Sequence, residues 1–134
     1  MVLYLQITRG EQFPRDHTYL SGLDPTVLIT FSERRDVGWR EVKPLKVAIK
    51  SDFRWGRGDI KVTSLIANVL LRNSAVSDGF DDAILIRDDN VTEATAANVF
   101  LVKDGEIATP EKNRFFLPIP VHCLAYYLVY IRHL

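Results

Sequence analysis

The pattern of apolar and polar positions changes period several times along the chain, and each change predicts an element. In "VLYLQIT", Leu3, Leu5 and Ile7 alternate with Tyr4, Gln6 and Thr8. A period of two predicts a strand. "GEQFPRDHTYLSGLDP" is rich in Gly, Pro and Asp and reads as an ordered loop. "TVLITFSE" is a second strand and "LKVAIKSD" a third. From Val62 to about Ser77 the apolar positions are Leu65, Ile66, Val69, Leu70 and Val76, a helical spacing, with Gly79 as its stop. "DAILIRDDNVTE" and "NVFLVKDGEIATP" read as strands, the latter folded into a hairpin at Asp104-Gly105. No repeat or low-complexity tract interrupts this series. It predicts a mixed class, α+β or α/β.

Two stretches stand outside the pattern. "RRDVGWREVKP" is charged and carries Gly and Pro, as an interdomain linker does. The tail, "FFLPIPVHCLAYYLVYIRHL", is almost wholly apolar and aromatic with no polar face. Broken by two prolines and a histidine, it is too short for a membrane span. The first residues show neither a basic region nor a small-residue cleavage site, so no secretory signal is expected. A chain that opens in mid-strand is itself unusual, and a missing beginning is the expectation.

Composition narrows the class further. A chain of 134 residues, 47% hydrophobic and 25% charged, can bury one core. Lys plus Arg and Asp plus Glu both number 17. That balance argues against a nucleic-acid binder or an acidic-membrane binder. Cys123 is the one cysteine, which rules out an internal disulfide and suggests a reducing, cytoplasmic setting.

Four residues are candidates for chemistry. Lys61 precedes the apolar helix in "RWGRGDIKVTSLIANVLL". On residue type alone it is an ordinary solvated lysine. A helix N-terminus nevertheless disfavours a cation, and lysine is the side chain that forms Schiff bases when burial or a neighbouring cation lowers its pKa. Glu93, in "NVTEATAANVF", is by type a turn or capping carboxylate; alternatively it keeps a heterocyclic nitrogen protonated. Arg15 and His17, in "FPRDH", decorate a loop or form a two-point cradle for a carboxylate. A phosphate loop, a dinucleotide fingerprint, a paired-cysteine metal site and a His-Glu-x-x-His helix are all missing, and His17, His122 and His133 are too scattered for a metal cluster.

The text of the chain carries more than its periodicity. "YLQITRGEQFPRDH", followed by "RWGRGDIKVTSLIANVLLRNSAVSDGFDDAILIRDDNVTEATAANVFLVKDGEIATP", resembles the class IV, pyridoxal-phosphate-dependent aminotransferases over about Leu3 to Pro110. The "DIK" block, the "VTE…NVF" pair and the "KDG…TP" hairpin belong to the whole class, whereas "PRDH" is similar to the D-amino-acid branch. The resemblance implies that Lys61 forms the internal aldimine and carries the proton between the substrate α-carbon and the cofactor. It implies that Glu93 pairs with the pyridine nitrogen, and that Arg15 and His17 capture the substrate carboxylate. It further implies a transaminase moving an amino group between a D-amino acid and a 2-oxo acid, in a cytoplasmic homodimer with no nucleic-acid or membrane partner. Branched-chain aminotransferase and aminodeoxychorismate lyase are the alternatives within the class; a fragment without activity is the alternative outside it.

The chain also departs from the family pattern. Where relatives carry a serine-rich run after the glutamate, this chain has "ATAAN", with Thr95 its one hydroxyl. The blocks upstream of "VLYLQITRG", with their phosphate-binding arginine and active-site tyrosine, have no counterpart here, and the Gly-Ile-Thr-Arg block of the phosphate cup is replaced by the apolar tail. A frameshift near Leu117 is the expected origin of that tail. The fold class implied is α+β, a fragment of the two-domain class IV fold. Residues 1–38 would close the small domain, 39–45 link, 46–116 open the large cofactor-binding domain, and 117–134 form the atypical tail.

Overall fold

The computed structural model describes residues 2–33 and 43–111. The expected tail and residues 39–42 of the expected linker lie outside the described residues. The chain divides into two compact units, Met1–Val42 and Lys43–Leu134.

In the first unit, β1 (Val2–Thr8) and β2 (Thr26–Ser32) form an antiparallel ribbon. Both are rich in β-branched and aromatic residues, which suit a pleated surface. Register runs from Val2 opposite Ser32 to Thr8 opposite Thr26, so Leu3 faces Phe31, Leu5 faces Ile29 and Ile7 faces Val27. Directly opposed residues share a face, and these six therefore make one continuous apolar face, which is exposed. Residues 9–25 form the connecting loop. Gly10, at φ +113°, closes the loop against the Asp24 carbonyl; any Cβ there would collide with that backbone.

The second unit is built on a three-stranded sheet of order β3-β4-β5, made of β3 (Val47–Ser51), β4 (Asp82–Arg87) and β5 (Asn90–Ala94). β3 and β4 are parallel, and the crossover between them carries the helix α1 (Ile66–Ser77). β4 and β5 are antiparallel, with a register shift between Ile84 and Ile86. As the central strand, β4 is buried on both faces. Ala83 and Leu85 pack with Ala48 under Leu71 and Ala75 of α1, while Ile84 packs with Ala94, Ala97 and Val99 on the other side. Burial on both faces explains its run of apolar residues in place of alternation. A short hairpin, β6 (Leu101–Lys103) and β7 (Glu106–Ala108), follows. Its turn is Asp104-Gly105, both at positive φ, as the sequence predicts.

Three sequence expectations need correction. "DAILIRDDNVTE" is two strands, because Asp88 and Asp89, at φ 50° and 59°, turn the chain back as a two-residue hairpin. Asp tolerates this left-handed region, which a search for Asn-Gly or Asp-Gly pairs overlooks. The helix begins at Ile66 rather than Val62, with Leu65 as an N-cap that offers no side-chain acceptor. The residues it was expected to bury, Leu65, Ile66, Val69, Leu70 and Val76, are between 53% and 70% exposed; the buried ones are Leu71 and Ala75. The sheet touches only one narrow stripe of α1. The C-terminus of α1 agrees with expectation. Phe80 N–H bonds to Ala75 O at 3.0 Å and Gly79 N–H to Val76 O at 3.0 Å, with Gly79 at φ +81°. This is a Schellman cap, and Phe80 packs on the helix-side core as such caps favour. No helix among the described residues is long and apolar enough to cross a membrane.

Candidate active site

The segment between β3 and α1 carries a tight set of local contacts that deliver Lys61. Arg57 grips Asp59 with two bonds, Nε to Oδ1 at 2.8 Å and Nη2 to Oδ2 at 2.7 Å. Ile60 N–H closes a turn on Arg57 O at 3.1 Å. Lys61 follows at once, exposed, with no hydrogen bond or ion pair to the described residues. It lies five residues ahead of the first helical residue. The helix dipole acts within the first turn only, so it does not bear on this amine as the sequence had suggested.

Lys61 opens onto a cleft of about 690 Å3. Its walls come from the β3–α1 segment up to Leu65, from Ile66, Ala67, Asn68 and Leu70 in the first turns of α1, and from Glu93 with Thr95 to Asn98 beyond it. Lys61 and Glu93, far apart in the sequence, are thus brought to one cavity. Two bonds order its walls, one between them and one within the wall that carries Glu93. Asn68 Nδ2 of α1 donates to Thr95 O at 2.8 Å, and Ala94 N–H donates to Ala97 O at 2.8 Å. The Thr95 hydroxyl donates to Asp82 Oδ1, so its proton turns away from the cleft.

Behind Glu93 lies a charged network that inspection of the sequence did not single out. Asp52, directly after β3, has a fully buried side chain. Arg54 grips it with Nε to Oδ1 at 2.9 Å and Nη2 to Oδ2 at 2.8 Å. Arg87 Nη2 reaches Oδ1 at 3.2 Å, and the Thr92 hydroxyl donates to Oδ2 at 2.8 Å. Burial pushes the Asp52 carboxyl up, but the bonds from Arg54 and Thr92 and the Arg54 charge outweigh it and leave the pKa at about 2, below the ordinary 3.8. The remaining nitrogen of the fork, Nη1 of Arg54, donates to Glu93 Oε1. A signal for this network existed in "SDFRW", where an acid and an arginine stand two apart directly after a strand. Nothing in that spacing tells that the acid is buried.

Arg15 and His17 belong to the first unit, in the loop between β1 and β2, and both are exposed. Asp16 organises that loop by accepting from His17 N–H at 2.6 Å and from Thr18 Oγ1 at 2.7 Å. The Thr18 hydroxyl and the His17 N–H hold the Asp16 carboxyl below its ordinary range. Arg9 stacks over the Tyr19 ring, 4.3 Å from its centre. Arg15 is exposed, without a hydrogen bond or ion pair among the described residues.

Residues 1–118 match the family Amino-transferase class IV. The chain belongs to the class IV aminotransferases. Its relatives include a D-alanine aminotransferase of Staphylococcus epidermidis, 38% identical over 116 residues, which span 86% of this chain and 41% of that enzyme. A D-alanine aminotransferase of Bacillus licheniformis is 38% identical over 107 residues, 80% of this chain and 38% of that one. The chain therefore spans about two-fifths of the length of these relatives. Among solved structures, a Brucella abortus aminotransferase bound to PLP superposes with a TM-score of 0.67 at 20% identity, covering 90% of this chain and 45% of that one. A branched-chain aminotransferase of Thermoproteus uzoniensis gives 0.57 at 20% identity, covering 86% and 40%. At such identities the likeness is one of fold.

Proposed function

We propose that this chain carries the lysine-bearing part of a pyridoxal-phosphate-dependent transaminase site that exchanges an amino group between a D-amino acid and a 2-oxo acid. The observation that carries the proposal is the meeting of Lys61 and Glu93 in one cleft. The cleft fits the cofactor in size, since small-molecule sites are roughly 300–1,000 Å3, and in donor set, since it offers a primary amine with no polar partner among the described residues and an ion-paired carboxylate.

Pyridoxal phosphate, when bound, supplies an electron-accepting ring. Lys61 would hold it covalently through Nζ and then carry a proton to and from the substrate α-carbon. Glu93 would accept a hydrogen bond from the ring nitrogen through Oε2, since Oε1 is taken by Arg54. Arg15, with His17, would bind the substrate carboxylate as a charge-assisted fork. The D-alanine aminotransferase relatives support the D-amino-acid reading, and their family supports a homodimer and a cytoplasmic setting.

The test is to incubate the purified chain with pyridoxal phosphate, reduce with borohydride and map the labelled peptide. Label on Lys61 is expected. Turnover of D-alanine with 2-oxoglutarate, against L-leucine, then distinguishes a D-amino-acid transaminase from a branched-chain one. Label elsewhere refutes the assignment of Lys61, and label on Lys61 without turnover identifies a cofactor-binding piece without activity.

A further inference from the structure

We propose that Arg54 is a positioning residue for Glu93, its guanidinium anchored on buried Asp52 so that Nη1 pins one carboxylate oxygen and aims the other into the cleft. The inference rests on the reading of Glu93 as the ring-nitrogen partner. The geometry is that of a relay with a rigid base. Asp52 holds Arg54 through two parallel bonds and a third from Arg54 N–H to Oδ1 at 3.1 Å. Arg87 locks the base from the other side, bonding Asp52 O at 3.1 Å and Arg54 O at 2.5 Å. The two guanidinium bonds to Asp52 therefore fix its plane, the backbone bond holds the residue beside the acid, and Nη1 fixes Glu93 Oε1.

A glutamate at the end of a strand would otherwise sample several rotamers, each with a different oxygen position. The Arg54 side chain is 11% exposed and that of Glu93 21%, so the pair is shielded from water on one side and open to the cleft on the other. The charges backing this wall are Asp52, Arg54, Arg87 and Glu93, with Arg72 and Asp82 behind Thr95 and Lys61 across the cleft. Two acids and two arginines at the base cancel in sum, so what Arg54 adds is direction rather than net charge.

This predicts a sign that separates positioning from simple charge. Removing a cation beside the ring should favour its protonation. Removing the anchor of Glu93 should disfavour it. The experiment uses the full chain labelled with pyridoxal phosphate, trapped on Lys61 by borohydride, and followed by the ultraviolet spectrum of the reduced pyridoxyl ring against pH. Glu93→Gln should lower the ring-nitrogen midpoint. Arg54→Gln should lower it as well, by about one pH unit, a tenfold loss of proton affinity. Neither Arg54 variant should shift it further in a Glu93→Gln background.

Arg54→Gln leaves Asp52 with Arg87 as its one cation, beside the Thr92 hydroxyl, among the described residues, and can fail to fold. Arg54→Lys keeps a cation on Asp52 without the fork and should show the same downward shift. A midpoint unchanged or raised in both Arg54 variants, with Glu93→Gln still lowering it, overturns the inference and leaves the reading of Glu93 standing. A midpoint unmoved by Glu93→Gln overturns both, as does label found away from Lys61.

Discussion

Arg54 Nη1 donates to Glu93 Oε1 across 39 residues of chain, and in doing so joins the end of β3 to the strand β5 on the cleft wall. The bond couples the stability of the sheet to the geometry of the candidate site.

Lys61→Ala should abolish borohydride-fixed pyridoxal phosphate while changing folding stability by no more than about 0.5 kcal/mol, the range for exposed positions free of special contacts. Lys61 is exposed and touches no polar partner among the described residues. Absorbance of the reduced adduct and a urea melt of the same sample are the measurements. A variant that keeps its label, or that loses the fold along with it, contradicts the expectation.

Arg15→Met should weaken substrate binding by about 1.5–3 kcal/mol, the value of a hydrogen bond to a charged group, with cofactor uptake unchanged. The exposure of Arg15 predicts an unchanged melting temperature as well. Titration with a D-amino acid and separately with pyridoxal phosphate tests both halves; equal loss of both affinities would assign the loop a different task.

Asp52 makes stability depend on acid. Its folded pKa, about 2, lies below the ordinary 3.8. A carboxyl lowered on folding stabilises fully above its unfolded pKa and loses that contribution as pH falls through its folded value. At about 1.4 kcal/mol per pH unit, the loss is about 2 kcal/mol between pH 4 and pH 2. Urea unfolding across that range should show the slope in the parent chain, and Asp52→Asn should flatten it. Because the variant removes the charge facing two arginines, its stability at pH 7 should fall by about 3–5 kcal/mol.

Gly79→Ala should cost about 1–2 kcal/mol, from forcing a Cβ into the left-handed region at φ +81° and from nothing else, since an added Cβ meets no atom within 4 Å. Gly79→Asn should cost less than Gly79→Ala. Equal costs for the two would show that space rather than backbone conformation governs the position.

The β1–β2 ribbon should self-associate through its apolar face, where Leu3, Leu5, Ile7, Ile29 and Phe31 are each more than half exposed. Sedimentation at increasing concentration should report it. Leu5→Glu combined with Ile29→Lys, a directly opposed pair, should suppress the association without unpairing the strands.

The sequence by itself determined the local elements and the family. Alternation placed β1, Asp104-Gly105 placed a hairpin, and Gly79 ended α1, because each depends on the conformation of a few adjacent residues. The resemblance singled out Lys61, Glu93, Arg15 and His17 from blocks of text in order. Tertiary structure alone decided what is buried and what meets across the chain. The parallel pairing of β3 with β4 buries both faces of β4, leaves most of the apolar face of α1 exposed, and puts Asp52 beyond reach of water, where it must be answered by Arg54, Arg87 and Thr92. No periodicity encodes that demand. A carboxylate on a strand end reads the same whether it meets solvent or two arginines, and only the packing of the crossover settles which.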